Sequence, residues 1–311
     1  MKTAWILGSR GFVGRHVARH LAKSGVKVIG IGHGTWSQTA AEHWGLAAWH
    51  ETEITRSALC QVAHAHGAPD TIIHLAGGSL VSASVNFPLD DFMRSVPPTV
   101  EVLEWMRVFA SKVPLVFASS AAVYGDKHLI PISEDSQLSP CSPYGYHKQI
   151  SELVIQSYST RFGISSAIVR LFSVYGIELQ KQLLWDLCTR CRQNPSAIRL
   201  HGTGRESRDW LWVEDAASYL SAAVTLASKE PFVVNGGTGS VVSVSQIAEA
   251  VLEAWGLTCP IEYTHESRPG DPSFLVADVT RAITFGLAAK TNWREGVGQY
   301  VKWFKKAAGS P

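Results

Sequence analysis

Thr3-Ala4-Trp5-Ile6-Leu7 running into Gly8-Ser9-Arg10-Gly11-Phe12-Val13-Gly14 is the stretch that decides the fold. A short apolar strand, a turn with three glycines and a helical pattern through about Lys23 together make a phosphate cradle. Glycine lets the backbone approach a ligand closely, and the helix N-terminus offers unpaired N–H groups to a pyrophosphate. Gly8, Ser9, Arg10, Gly11, Phe12, Val13 and Gly14 are therefore expected to hold a dinucleotide. The spacing is Gly-x-x-Gly-x-x-Gly rather than the commoner Gly-x-Gly-x-x-Gly. A purely structural turn is the alternative.

A second strand, Val26 to Ile31, ends in Gly32-His33-Gly34-Thr35. An Asp or Glu about 20 residues past the glycines takes the ribose 2′-hydroxyl in NAD-binding versions of this turn. Gly32 stands where that acid is expected, so the barrier to a 2′-phosphate is missing, and Arg10 and His33 could pair with one. NADP(H) is expected over NAD(H); an NAD site with a relaxed adenosine pocket is the alternative. Thr71 to Gly77 reads as a buried strand whose end, Leu75-Ala76-Gly77, reaches the cofactor edge. Val113 to Ser119 and Ser166 to Phe172 read likewise, and Phe232 to Asn235 as a late strand. Helical segments such as Val100 to Ala110 and Ile150 to Phe162 lie between them. This alternation predicts an α/β fold, a doubly wound parallel sheet. Past about Gly176 it fades into a stretch richer in Trp, Arg and Pro. We expect a dinucleotide-binding part over 1–175 and a smaller C-terminal, substrate-binding lobe over 176–311, with the segment near 232–236 returning to the sheet.

The totals narrow the function. Of 311 residues 46% are hydrophobic, and 17% are charged, against a usual figure of about 25%. That describes a globular chain. A formal net charge of +2 without a basic run gives no case for nucleic acid as a partner. No apolar stretch approaches the roughly 18 residues needed to span a bilayer, and the run from Ala4 is too short for a signal-peptide core. Five scattered cysteines fit reduced thiols in the cytoplasm. Cys188-Thr-Arg-Cys191 has metal-like spacing but no second pair and reads as helix, so no metal is expected. His16 and His20 read as surface residues of the first helix.

Tyr144-Gly145-Tyr146-His147-Lys148 carries the chemistry. Tyr144 and Lys148 are four apart and share one helix face, with Pro143 suited to the first turn. A free tyrosine, with a pKa near 10, is a poor base at neutral pH. An ammonium beside it favours the phenolate, so the pair could form a tuned acid/base.

Together these motifs resemble the extended short-chain dehydrogenase/reductase family, in its branch of nucleotide-sugar epimerases, dehydratases and reductases, built on a Rossmann-type sheet. Ala118-Ser119-Ser120-Ala121-Ala122-Val123-Tyr124-Gly125 resembles its catalytic-serine segment, and Tyr144-x-x-x-Lys148 follows at the family's distance. Ser82-x-x-Val85-x-x-Pro88-Leu89, Thr99, Arg170-Leu171-Phe172-Ser173-Val174-Tyr175-Gly176, Gly202-x-Gly204-x-x-x-Arg208-Asp209-Trp210 and Arg268-Pro269-Gly270-Asp271 are also similar to its pattern. The resemblance implies Tyr144 as base or acid at a sugar hydroxyl or ketone. Lys148 would lower its pKa and hold the nicotinamide ribose, and Ser120 would bond the reacting oxygen. The cofactor would exchange a hydride with the sugar, most often at C4. Arg208 and Arg268 would clamp the substrate's diphosphate, or else pair with Asp209 and Asp271. Ser82 and Ser173 would touch substrate; Phe172, Glu53 and Ile54 would touch the cofactor.

Departures from the pattern sharpen the expectation. Ser95 and Ser173 replace common asparagines, and Pro97-Pro98 argue against a helix continuous through that segment. Ala121-Ala122 stand where dehydratases carry Asp-Glu, which disfavours removal of water. NADPH is a consumable reductant, so the first expectation is a 4-keto-6-deoxy nucleotide-sugar reductase. The alternative is a nucleotide-sugar 4-epimerase of the UDP-galactose 4-epimerase type. A cofactor-sensing protein without catalysis is a third reading, disfavoured by the intact Ser120, Tyr144 and Lys148. Helices of this fold commonly pair, so a homodimer is expected by analogy.

Overall fold

A computed structural model describes residues 1–126, 128, 131–266 and 274–308. Strand β1 (Thr3–Leu7) turns through the glycine loop into α1 (Phe12–Lys23), followed by β2 (Lys27–Gly32), α2 (Gln38–His43) and β3 (Leu46–Glu51). Next come α3 (Arg56–His66), β4 (Thr71–His74), α4 (Val81–Asn86), α5 (Pro88–Phe109), β5 (Leu115–Ser120), α6 (Pro143–Phe162) and β6 (Ser166–Leu171). The strand Phe232–Gly236 completes a seven-stranded sheet in the order Phe232–Gly236, β6, β5, β4, β1, β2, β3, with every pairing parallel. This is the expected doubly wound architecture. Strand β3 had no sequence signal: of Leu46-Ala-Ala-Trp-His-Glu51 only Leu46 is fully buried, because it is an edge strand.

Both faces of the sheet are covered, and the two-residue period of β1 displays this. Ala4 and Ile6 point into a core with Val17, Ala18 and Leu21 of α1, and with Ala216, Ala217 and Leu220 of the helix Val213–Ala222. Trp5 and Leu7 point the other way, toward Leu59 of α3, Trp105 of α5 and Ile155 of α6. A third apolar cluster joins the helices Gln182–Cys191, Val244–Trp255 and Trp293–Ala308. Cys188 and Cys191 lie in that core as buried thiols. Among the described residues, no helix is long and apolar enough to cross a membrane.

Two expectations are corrected. Helix α5 runs unbroken through Pro97 and Pro98. The prolines remove N–H groups that would bond the carbonyls of Met93 and Arg94, and both those residues are exposed. Burial of Val96, Thr99, Val102 and Leu103 on the opposite side holds the helix. His16 is not a surface residue but 3% exposed. The helix Val213–Ala222 packs along α1, and the loop at Ile177 covers His16, its Nε2 lying 3.2 Å from the Ile177 carbonyl. Burial drops its pKa to about 4.

Trp105, 1% exposed, lies against Trp5 with ring centroids 5.0 Å apart. Trp105→Ala should remove about 3–5 kcal/mol of stability in urea unfolding, the range for a large aromatic deleted from a packed core; a loss under about 1 kcal/mol would contradict this packing.

Candidate active site

The glycine loop has the geometry that could hold an anion. Helix α1 starts after Gly11 with no side-chain cap and no acidic residue in its first turn, so the orphan N–H groups there remain for a ligand. A β-carbon on Gly14 would sit 2.2 Å from the Gly8 carbonyl oxygen; only glycine lets the helix start this close to the turn. Strand β4 ends beside the same turn, the amide N of Ala76 falling 2.8 Å from where a Gly8 β-carbon would be. Leu75, Ala76 and Gly77 therefore border the loop, at the point where strand order reverses between β1 and β4. These residues fit a dinucleotide's pyrophosphate. Ser9 is buried, its hydroxyl packed under the turn.

At the tip of β2 the groups are mixed. Arg10 is exposed; its Nε donates to the Thr35 carbonyl at 3.2 Å, and its guanidinium lies over Gly34. His33 is exposed nearby. Glu51, paired with Gly32 in register, accepts from the Thr35 hydroxyl at 3.3 Å. A carboxylate therefore stands at this end, brought by β3 rather than β2. No sequence signal located it, because β3 itself was not legible. Ile54 is buried in the core while Glu53 is exposed.

Ser120, Tyr144 and Lys148 come together at the carboxyl edge. Ser120 closes β5 and accepts from the Ala122 N–H at 3.2 Å. Ser142 caps α6, its Oγ accepting from Gly145 N at 3.2 Å, and Pro143 fills the first turn. A β-carbon on Gly145 would lie 2.6 Å from the Ala122 carbonyl; this close approach lays α6 on the end of β5, where the Ser120 hydroxyl is near enough to the Tyr144 phenol to lower its pKa. Lys148 is 5% exposed. Its Nζ donates to the Ala118 carbonyl at 2.9 Å and lies 4.9 Å and 5.9 Å from the ring centroids of Phe117 and Tyr144.

The electrostatics differ from expectation. The Tyr144 hydroxyl is held above its usual pKa: desolvation raises it most, the Ser120 hydrogen bond lowers it, and the Asp91 carboxylate raises it again. Burial of the phenol outweighs the stabilisation that the neighbouring ammonium was expected to supply. Lys148 drops to about 8 by desolvation, against the pull of Asp91 and Glu152.

Sequence reasoning missed the groups behind the site. Glu152, one turn beyond Lys148, bonds Ser119 at 2.5 Å and Arg170 at 2.8 Å. Arg170 also donates to the Tyr124 hydroxyl at 3.0 Å, which donates to Asn235 at 2.6 Å. Asp91 meets His147 Nδ1 at 2.6 Å. Helical spacing from Lys148 could have suggested Glu152; nothing in the sequence joins Asp91 to His147.

Other expected residues scatter. Ser82 is exposed, whereas buried Ser84, two residues on, accepts from Tyr144 N at 3.0 Å. Phe172 is buried against Tyr124. The Ser173 amide donates to the Asp209 carbonyl at 3.0 Å. Arg208 lies on the short strand Ser207–Arg208; the Asp209 carboxylate accepts from Thr238, Gly239 and Ala277. Arg268 and Asp271 lie outside the described residues.

A UDP-glucose 4-epimerase of Lactobacillus helveticus is 29% identical over 326 residues, covering 96% of each chain. A solved UDP-glucose 4-epimerase of Thermotoga maritima, 24% identical, superposes with a TM-score of 0.89 over 98% of this chain and 99% of that one. MoeE5, solved with UDP-glucose and NAD, is 26% identical with a TM-score of 0.86, over 99% of this chain and 100% of that one. The relatives are UDP-sugar 4-epimerases, which favours the alternative over the reductase expected first. The model of the NAD dependent epimerase/dehydratase family matches residues 4–237: the chain belongs to that family and is an extended short-chain dehydrogenase/reductase enzyme.

Proposed function

We propose that the protein is a nucleotide-sugar 4-epimerase of the UDP-galactose 4-epimerase type. The observation that carries this reading is the Ser120 hydroxyl next to the Tyr144 phenol and a buried Lys148, in a chain aligned over nearly its whole length with UDP-sugar 4-epimerases. A nicotinamide dinucleotide held at the glycine loop would supply the acceptor and donor of hydride for sugar C4. Tyr144 removes the proton of the C4 hydroxyl and gives it back to the same oxygen. Ser120 holds that oxygen. The Lys148 ammonium stabilises the phenolate, a task that burial of the phenol makes necessary. Arg208 and Arg268 are proposed to clamp the diphosphate.

The resident dinucleotide is proposed to be NAD. Glu51 supplies, from β3, the carboxylate that Gly32 lacks, and repels a 2′-phosphate despite Arg10. This replaces the NADP preference inferred from β2 alone. The buried thiols of Cys188 and Cys191 support a cytoplasmic, reducing setting. Two copies are proposed to pair through α5 and α6: Tyr146, Ile150 and Leu153 make an exposed apolar stripe on α6, and α5 exposes Leu89 and Met93. Exposed apolar surface of this kind marks association.

The direct test incubates the purified protein with UDP-glucose and follows UDP-galactose by chromatography, with NAD or NADP added. Turnover supported by NAD is expected, and Tyr144→Phe should lower it by at least about a hundredfold while dinucleotide binding persists. Reduction that consumes NADPH stoichiometrically would sink the epimerase reading. The ammonium is present below its pKa and lost above it, so kcat should fall as pH rises through about 8; a flat profile from pH 7 to 9.5 contradicts the role of Lys148. Sedimentation should give twice the chain mass of 33.9 kDa, and Leu153→Glu should give monomers; an already monomeric wild type removes the dimer.

A further inference from the structure

The segment between the strand Ser173–Tyr175 and the helix Gln182–Cys191 takes no part in the chemistry above, yet it is held under strain. Glu178 and Gln182 have φ of 70° and 67°, a region that residues with a side chain enter only where the surroundings hold them. The surroundings do so at three points. His16 Nε2 meets the Ile177 carbonyl at 3.2 Å. Arg15 pairs with Glu178 at 3.5 Å. The Tyr300 hydroxyl donates to the Leu179 carbonyl at 2.5 Å.

This pinned segment presents Lys181 to the carboxyl edge of the sheet. Its Nζ donates to the Ser79 hydroxyl at 3.0 Å. Ser79 belongs to the loop after β4, and two residues earlier the β-position of Gly77 lies 3.7 Å from Lys148 Nζ. Lys181 thus reaches across from the C-terminal part of the chain to the loop that lies on the catalytic lysine. Lys181 is half-buried; desolvation lowers its pKa, and among the described residues no carboxylate opposes it. Its neighbour Glu178 is turned to Arg15 instead. A cation that has lost part of its water and whose partner among the described residues is a neutral hydroxyl is stabilised most by an oxyanion placed beside it.

Given the epimerase reading, on which this step rests, the oxyanion at the Lys148 end of the cleft belongs to the sugar ring rather than to the diphosphate assigned to Arg208. We propose that Lys181 is a specificity-determining residue that pairs with a carboxylate on the sugar, so that the preferred substrate is a nucleotide-activated uronic acid. The hydroxyl of Ser79 holds the ammonium in place for it.

Calorimetric titration of UDP-glucuronate and UDP-glucose into the NAD-loaded enzyme tests this. Wild type should bind UDP-glucuronate more tightly. Lys181→Met should weaken UDP-glucuronate by about tenfold or more, the worth of a charge-assisted hydrogen bond, and leave UDP-glucose within about twofold. Lys181→Arg should retain most of the preference. Equal weakening of both sugars would place the ammonium on the shared diphosphate and overturn the proposal; so would no weakening of either. Failure of wild type to bind any UDP-sugar would overturn the epimerase reading as well, which separates the two.

Discussion

The buried ammonium of Lys148 is the constraint around which the rest of the molecule is arranged. Taking such a charge out of water costs several kcal/mol unless partners replace the lost solvation. The Ala118 carbonyl supplies one hydrogen bond, and the face of Phe117 lies beneath. Asp91 and Glu152 supply opposite charge. Each carboxylate is tied in turn, Asp91 to His147 and Glu152 to Arg170 and Ser119. The Lys148 charge is therefore held by a network reaching from α5 through α6 to β6, and by way of Tyr124 to Asn235 of the last sheet strand.

That network exists because parallel strands deliver their carboxyl ends to one edge. Crossovers of one hand return the chain to the same end of the sheet each time. Strands β1 and β4 are neighbours, so the glycine loop and Leu75-Ala76-Gly77 meet although more than sixty residues of sequence separate them. Ser120 arrives at that edge on β5. Helix α6 is brought against it because Gly145 lets its first turn lie on the Ala122 carbonyl. The apolar covering of both faces supplies the free energy, at about 25 cal/mol per Å² of buried apolar surface, that keeps these polar groups in register.

Ser95 illustrates how a departure from a family pattern is accommodated. Its hydroxyl accepts from the Gly78 N–H at 3.0 Å, and its carbonyl accepts from the Thr99 hydroxyl at 2.8 Å. Thr99 in turn meets His74 Nε2 at 3.0 Å, a histidine that burial and the charge of Lys148 hold neutral, with a pKa of about 3. The serine thus fixes the loop that passes over Lys148, and the two prolines that follow it are tolerated in a helix held by burial of Val96, Thr99, Val102 and Leu103.

Local sequence by itself determined the alternating strands and helices, the glycine turn between β1 and α1, and the Tyr144–Lys148 spacing, because each is a property of neighbours in the chain. Periodicity of apolar residues reports which face is buried, and a helix N-terminus without a cap is legible from a dozen residues. What only the tertiary structure decided depends on partners that the sequence leaves unnamed. The edge strand β3 has too little buried surface to carry a pattern, so Glu51 beside Gly32 stayed hidden. His16 reads as a surface residue until Ile177, far along the chain, covers it. The phenol of Tyr144 was expected below its usual pKa from one neighbour four residues away, yet its proton affinity is set by everything packed around it, and desolvation prevails. Spacing along a helix identifies which groups can meet; the balance of charge and solvation among them is summed in three dimensions.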